Sequence, residues 1–189
     1  LQSRNMTGYY AEDKEAALKQ ALELIEENST ISMGGCMSAH EIGLVQALQE
    51  GNYQYLDRSK MESREGLLAA YDSDVFLSSA NAMTSDGILV NIDGNSNRVS
   101  CIAQGPKKVI FIVGMNKVCD DLDSAMKRAR NVAAPINAQR FEVKTPCKET
   151  GKCFDCKSPD TICCQFLITR YSRHTGRIHV ILVNDNLGF

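Results

Sequence analysis

The run from Asn81 to Arg98 holds the densest set of hydrogen-bonding side chains in the sequence: Asn81, Thr84, Asp86, Asn91, Asp93, Asn95, Asn97 and Arg98. Asp86 and Asp93 are candidate general bases, and Arg98 suits a carboxylate or phosphate, which its forked N–H donors can grip. Two pairs, Asp86-Gly87 and Asp93-Gly94, bracket a short apolar stretch, and such pairs mark tight turns. A plain hairpin needs only one or two of these polar groups, so the excess points to a binding site carried on loops. Taken singly, each Asx side chain also has a simpler use, satisfying its own backbone within a turn.

A second candidate lies upstream. The β-prone run 30–33 ends at Gly34-Gly35, and Ser38 with Glu41 then has the spacing of a capping box, predicting a helix from Ser38. A strand, a two-glycine loop and a helix start aim backbone N–H groups at one point, as in anion sites of α/β proteins. Gly34 and Gly35 are therefore candidate ligand-binding residues beside Asn81, Thr84, Asn95 and Arg98. Paired glycines also serve simply as a tight strand-to-helix turn. Cys36 and His40 lie in or beside this loop without a partner visible in sequence, which favours incidental roles.

Five of the eight cysteines fall in one polar segment, 145–164, with the spacing C-x5-C-x2-C-x6-C-C. A C-x2-C pair presents two thiolates to one ion, and flanking cysteines complete four soft ligands suited to zinc or an iron–sulphur cluster. Cys147, Cys153, Cys156 and Cys163 are the preferred ligands, with Cys164 as a substitute. Lys148, Lys152 and Lys157 would offset the charge of four thiolates. A thiol–disulfide switch, or cysteines without a ligand in a surface loop, would use the same residues.

The elements that must position these groups follow from periodicity. Apolar residues at helical spacing predict a helix over 11–27, and strands are expected over 53–56 and 75–78 with a helix over 64–71 between them. Residues 88–92 and 98–103 read as the two strands of a hairpin, and 108–113 as a central parallel strand, apolar throughout. Asp120, Asp121 and Asp123 open a helix with an apolar stripe of Leu122, Ala125, Met126, Ala129 and Val132, ended near Pro135. Strands over 165–169 and 177–183 follow. This alternation predicts an α/β fold, a mostly parallel sheet with helices on both faces, plus a β-hairpin and a cysteine-rich insertion. Ligands in such sheets sit at the carboxyl ends of strands.

A chain of 189 residues with net charge −2 fits one domain, and no basic run suggests nucleic acid. No apolar stretch approaches the ~20 residues of a membrane span and no secretory-type pattern opens the sequence, so a cytoplasmic protein is expected, and in a reducing compartment the clustered cysteines favour metal or redox chemistry over a disulfide framework.

Several uncommon strings recur in order: Asn81-Ala82-Met83-Thr84, Asp86-Gly87, Asp93-Gly94-Asn95, Asn97-Arg98-Val99, Gly105-Pro106-Lys107-Lys108, Gly114-Met115-Asn116-Lys117, and Gly151-Lys152-Cys153 with Asp155-Cys156. With them the sequence resembles the lactate-utilisation (LUD) domain family, in a stand-alone form, over nearly its whole length. The resemblance implies a three-layer α/β fold related to ribose-5-phosphate isomerases, glucosamine-phosphate deaminases and CoA transferases. It also implies an accessory role in oxidation of an organic acid such as lactate, with an electron-transfer partner protein. The sequence departs from electron-carrying members, lacking the ferredoxin-type C-x2-C-x2-C-x3-C-P motif, and no G-x-G-x-x-G fingerprint is present. Two other functions fit the same residues. One is an isomerase, hydrolase or transferase acting on a phosphorylated or CoA-linked metabolite, with Glu41, Asp86 and Asp93 as its acid/base groups. The other is a non-catalytic metal or redox sensor.

Overall fold

A computed structural model describes residues 1–189 other than Ser59. β1 (Thr7–Ala11) leads through α1 (Lys14–Glu23) to β2 (Thr30–Met33). The short helices α2 (Met37–Glu41) and α3 (Leu44–Glu50) lead on to β3 (Gln54–Tyr55), and α4 (Ser63–Asp72) to β4 (Val75–Ser78). An antiparallel pair, β5 (Ala82–Thr84) and β6 (Leu89–Asp93), precedes α5 (Asn97–Ala103) and β7 (Lys108–Gly114). After β8 (Val118–Cys119), α6 (Leu122–Arg128) runs through a π-helical turn (Ala129–Ala133) into α7 (Ala134–Ala138). Then come α8 (Pro146–Thr150), β9 (Gln165–Thr169) and β10 (Ile178–Val183).

The main sheet has six strands in the order β1-β10-β7-β4-β2-β3, paired in parallel. Parallel neighbours need crossover connections, and the helices supply them. Apolar runs in the central strands split by alternation onto two faces. Val75, Leu77, Ile110, Ile112, Ile181 and Val183 pack with α1, α2 and α3 on one side. Phe76, Val109, Phe111, Val113, Ile178 and Val180 pack on the other with α4, α5 and residues of the second sheet. The fold is thus the mostly parallel, layered α/β architecture expected from the sequence.

The second sheet has the order β8-β5-β6-β9. Met83 and Leu89 face the main sheet, while Ala82, Val90 and Ile92 meet the small residues Ala125, Ala129 and Ala134. Small side chains let the helix from α6 to α7 lie close on this sheet.

Three local expectations are corrected. Residues 98–103 form α5 and not the second hairpin strand; β6 pairs instead with β5 and β9. The Asp93 carboxylate decides this, because its Oδ2 accepts from the backbone N–H groups of Arg98 and Val99 and so fixes a helix start. The capping box at Ser38 and Glu41 does not form: α2 is preceded by Cys36 without a side-chain cap, and both polar groups turn elsewhere. Pro135 does not end its helix. The π turn before it absorbs the missing N–H and shifts the helix phase, leaving Val132 exposed instead of in the apolar stripe. Among the described residues, no helix is long and apolar enough to cross a membrane.

Candidate functional site

Connections leave β2 toward β3 on one side and β4 toward β7 on the other, so the strand order reverses between β2 and β4. A crevice opens at the carboxyl ends of strands where the order reverses. Here Gly34 and Gly35 follow β2, Ser79 to Asn81 follow β4, and a turn of 3-10 helix, Met115–Lys117, follows β7.

Lys117 is only 3% exposed. Its ammonium donates to Ser79 Oγ at 2.9 Å and to Ser38 Oγ at 3.3 Å, and among the described residues the third of its N–H donors has no partner. Burial lowers its pKa from 10.5 to about 8, with the nearby Arg128 and Arg98 adding to the fall and Cys36 and Glu41 opposing it. Arg128 donates to the carbonyls of Asn116 at 2.9 Å and Asn81 at 2.5 Å. Arg98 donates to Asn81 Oδ1 at 3.1 Å and to the Ile92 carbonyl. Among the described residues none of these three cations forms an ion pair with a carboxylate. Three cations without a carboxylate hydrogen bond, and one spare donor among them, set a positive potential at this end of the sheet, with Asp93 and Glu41 acting on Arg98 and Lys117 only at a distance.

Arg177 shows what a satisfied buried arginine looks like in this fold. It donates to the carbonyls of Cys101, Ile102 and Pro106 at 2.9, 2.7 and 3.0 Å, closing the C-terminal end of α5 where positive charge is favoured. Lys117 has no such set of carbonyls.

Beside the ammonium is a cavity of about 30 Å³, lined by Gly35, Ser79, Asn81, Asn137, Gly188 and Phe189 among others. That holds a group the size of about two waters, such as a compact carboxylate. The Gly188 N–H donates to Glu41 Oε2 at 2.8 Å and Phe189 lies against Arg140, so the segment 187–189 walls one side. Cys36 is buried beside the site, but burial pushes its thiol pKa up despite Lys117 and Arg98, so it is held as the thiol.

The residues singled out by sequence divide into groups. Gly34, Gly35, Asn81, Arg98 and Glu41 come together around Lys117. A Cβ on Gly34 would lie 2.7 Å from Arg98 Cγ, so glycine there lets the arginine stem pass. Thr84 and Asp86 lie at the opposite end of β5, where Asp86 is bound by Arg4 and Thr84 in an exposed turn. Asp93 is a helix cap: Oδ1 accepts from Asn95 N–H at 3.0 Å, and Oδ2 from Arg98 and Val99 at 2.9 and 3.0 Å. Asp93→Ala is expected to lower stability by about 2 kcal/mol through loss of this cap, which thermal unfolding measures; an unchanged melting temperature would remove the capping role. Sequence reading did not single out Lys117, Ser79 or Arg128. Lys117 could have been found from its place just beyond the strongest parallel strand.

The cysteine segment forms a separate cavity of about 60 Å³, lined by Cys147, Cys153, Cys156 and Cys163 together with Arg130 and Phe166. Burial, then the neighbouring thiols of Cys153, Cys147 and Cys156, push Cys163 up to about 11. Arg130 Nη2 donates to Cys153 Sγ at 3.9 Å and also reaches Asp155 at 2.5 Å. Cys164 is exposed and is not part of the lining. Among the described residues, no three His, Cys, Asp or Glu side chains stand close enough to grip one metal ion.

The model of the LUD domain family matches residues 1–183. The chain belongs to the LUD domain family. The LUD domain accounts for both sheets and the cysteine segment. Among solved structures, it is similar to a DUF162 family protein from Deinococcus radiodurans, at 14% identity and a TM-score of 0.55, covering 96% of this chain and 90% of that one. A weaker likeness is to eIF2B delta from Chaetomium thermophilum, at 16% identity and a TM-score of 0.39, covering 62% of this chain and 54% of that one. A search of the curated proteins finds no match. At such identities the first structure supports the LUD fold and leaves the chemistry to the residues themselves.

Proposed function

We propose that this LUD-family chain binds a small organic acid of the lactate class at the Lys117 site and acts as an accessory component of organic-acid utilisation. The observation that carries this reading is the buried Lys117 ammonium, which among the described residues has a spare N–H and no carboxylate hydrogen bond, near Arg98 and Arg128. A ligand carboxylate supplies the missing negative charge and accepts charge-assisted hydrogen bonds. Of the three carboxylates considered as acid/base groups, Glu41 lies beside this site with its side chain within the electrostatic reach of Lys117. Oxidation of such an acid releases electrons, so an electron-transfer protein is the partner this function calls for. A phosphorylated metabolite would meet the same cations, and the narrow cavity favours the smaller carboxylate.

Calorimetric titration with L-lactate, pyruvate, sugar phosphates and a CoA ester tests this. Carboxylates should bind, with proton uptake near the Lys117 pKa of about 8 and affinity falling as pH rises above it, because only the ammonium attracts an anion. Binding confined to the phosphorylated compounds would replace this reading with the isomerase, hydrolase or transferase alternative; binding of none would remove it.

A further inference from the structure

We propose that Cys147, Cys153, Cys156 and Cys163 form a tetrathiolate centre for a thiophilic metal, either a zinc ion or an iron–sulphur cluster, with Arg130 as its neighbouring cation. The proposal stands independently of the organic-acid reading, since the two cavities share no lining residue.

The first observation is convergence. Cys147 comes from α8, Cys153 and Cys156 from the turn after it, and Cys163 from the approach to β9, yet all four line one cavity. Proximity in sequence alone would not aim four side chains inward, and Cys164, adjacent to Cys163, stays outside with its thiol donating to the Thr161 carbonyl at 3.6 Å. Four soft donors around one space, with a fifth excluded, is the donor count of a closed structural zinc site or a cubane cluster.

The second observation concerns what holds the segment in place. No apolar side chain between Ala138 and Ile178 is buried. α8 itself contributes no buried residue, and Phe154 is 60% exposed. A segment without an apolar core does not offset its own ordering entropy, and a bound metal is the usual substitute. The backbone has the freedom to close on an ion: Gly151 at φ +71° and Asp155 at φ +52° flank and occupy the C-x2-C turn. Binding would draw in thiols that now ring the cavity more widely than one ion holds them.

Arg130 supplies the charge. Four thiolates around a divalent ion leave a net negative centre, and the Arg130 guanidinium, which also pairs with Asp155, donates to Cys153 sulphur and so orients the ligand and draws charge from it, as outer hydrogen bonds to metal ligands do. Thr145 Oγ1, at 3.3 Å from Cys147 Sγ, is placed for a similar contact.

The experiment uses the full chain purified without oxygen, reconstituted separately with zinc and with iron plus sulphide, and analysed for metal, labile sulphide and visible absorption. The expected result is stoichiometric metal, lost in Cys147→Ser, Cys153→Ser, Cys156→Ser and Cys163→Ser and retained in Cys164→Ser. Sulphide with visible absorption identifies a cluster; zinc alone identifies a structural ion. Protease cleavage within 145–164 should appear on chelation, and Arg130→Met should keep the stoichiometry while weakening metal affinity roughly 10- to 100-fold, with Arg130→Lys weakening it less. The proposal is overturned if neither metal is retained, if Cys164→Ser loses it as fully as Cys163→Ser, or if the four thiols prove instead to form a reversible disulfide pair.

Discussion

Lys117→Met should raise the melting temperature of the ligand-free protein and at the same time weaken binding of small carboxylates roughly 10- to 100-fold, the loss of one hydrogen bond to a charged group. The stability gain follows from the cost of holding an unpaired ammonium out of water. A pKa lowered from 10.5 to about 8, chiefly by burial, corresponds to roughly 3 kcal/mol of unfavourable burial of the charged form. Methionine matches the length of the lysine stem without the charge, and Ser38 Oγ and Ser79 Oγ, 3.4 Å apart, keep each other as partners. After allowing for the lost lysine contacts, a net gain of about 2 kcal/mol remains, or roughly 4–8 °C in a chain of this size. The pH dependence has a definite sign. Lys117 is depressed in the folded state, so its penalty is fully present below about pH 8 and disappears as pH rises toward 10.5, where the unfolded chain also loses its proton. The difference between wild type and variant should therefore shrink over that window. A variant less stable than wild type at neutral pH would show that Lys117 is a structural group, and the anion receptor would fall with it.

Gly114→Ala is expected to destabilise the fold by about 3 kcal/mol, or roughly 6–12 °C. The backbone at Gly114 is extended, with φ −69°, so its conformation suits any residue; the obstacle is space. A Cβ would stand 2.5 Å from Asn116 Oδ1, 2.6 Å from Leu187 N and 2.8 Å from Asp185 O. Two of these are backbone atoms and cannot swing away. They belong to the segment that Met115 and Asn116 hold by hydrogen bonds to Asp185 O and Leu187 N. Because Gly188 and Phe189 continue from it to wall the Lys117 cavity, carboxylate affinity should fall together with stability. Thermal unfolding and calorimetry on the same preparation check both. Loss of stability with affinity intact would mean that the segment at 187–189 plays no part in the site.

How far the sequence reveals this arrangement depends on the range of each determinant. The run 108–113 is apolar on both faces and declares a central strand, and Gly34-Gly35 follows a strand where an α/β site is expected. Residues 97–103 mislead because Val99 and Ile102 favour strands locally, while the carboxylate that starts the helix, Asp93, lies outside the ordinary cap position. The polar run divides because β5 carries the chain away from Asn81 before the turn at 84–87 that holds Asp86, so the two residues stand at opposite ends of that strand. Grouping Thr84 and Asp86 with Arg98 treats a path along the chain as if it were a place. A single lysine carries no spacing pattern, so the only signal for Lys117 in the sequence is its place just beyond the apolar run 108–113, and its partners Ser38 and Ser79 emerge only once the strands are paired.

The helix from Leu122 to Ala138 touches both cavities, lining the first through Asn137, with Arg128 holding the Asn81 carbonyl behind it, and the second through Arg130 and Ala134. Its π turn holds one residue more than an α-helical turn would, and each residue of an α-helix advances about 100° and 1.5 Å. An exchange of one side chain is thus a private matter for one cavity, whereas a change of one residue in the length of this rod is inherited by both at once. In this chain the two sites share a common thread pitch.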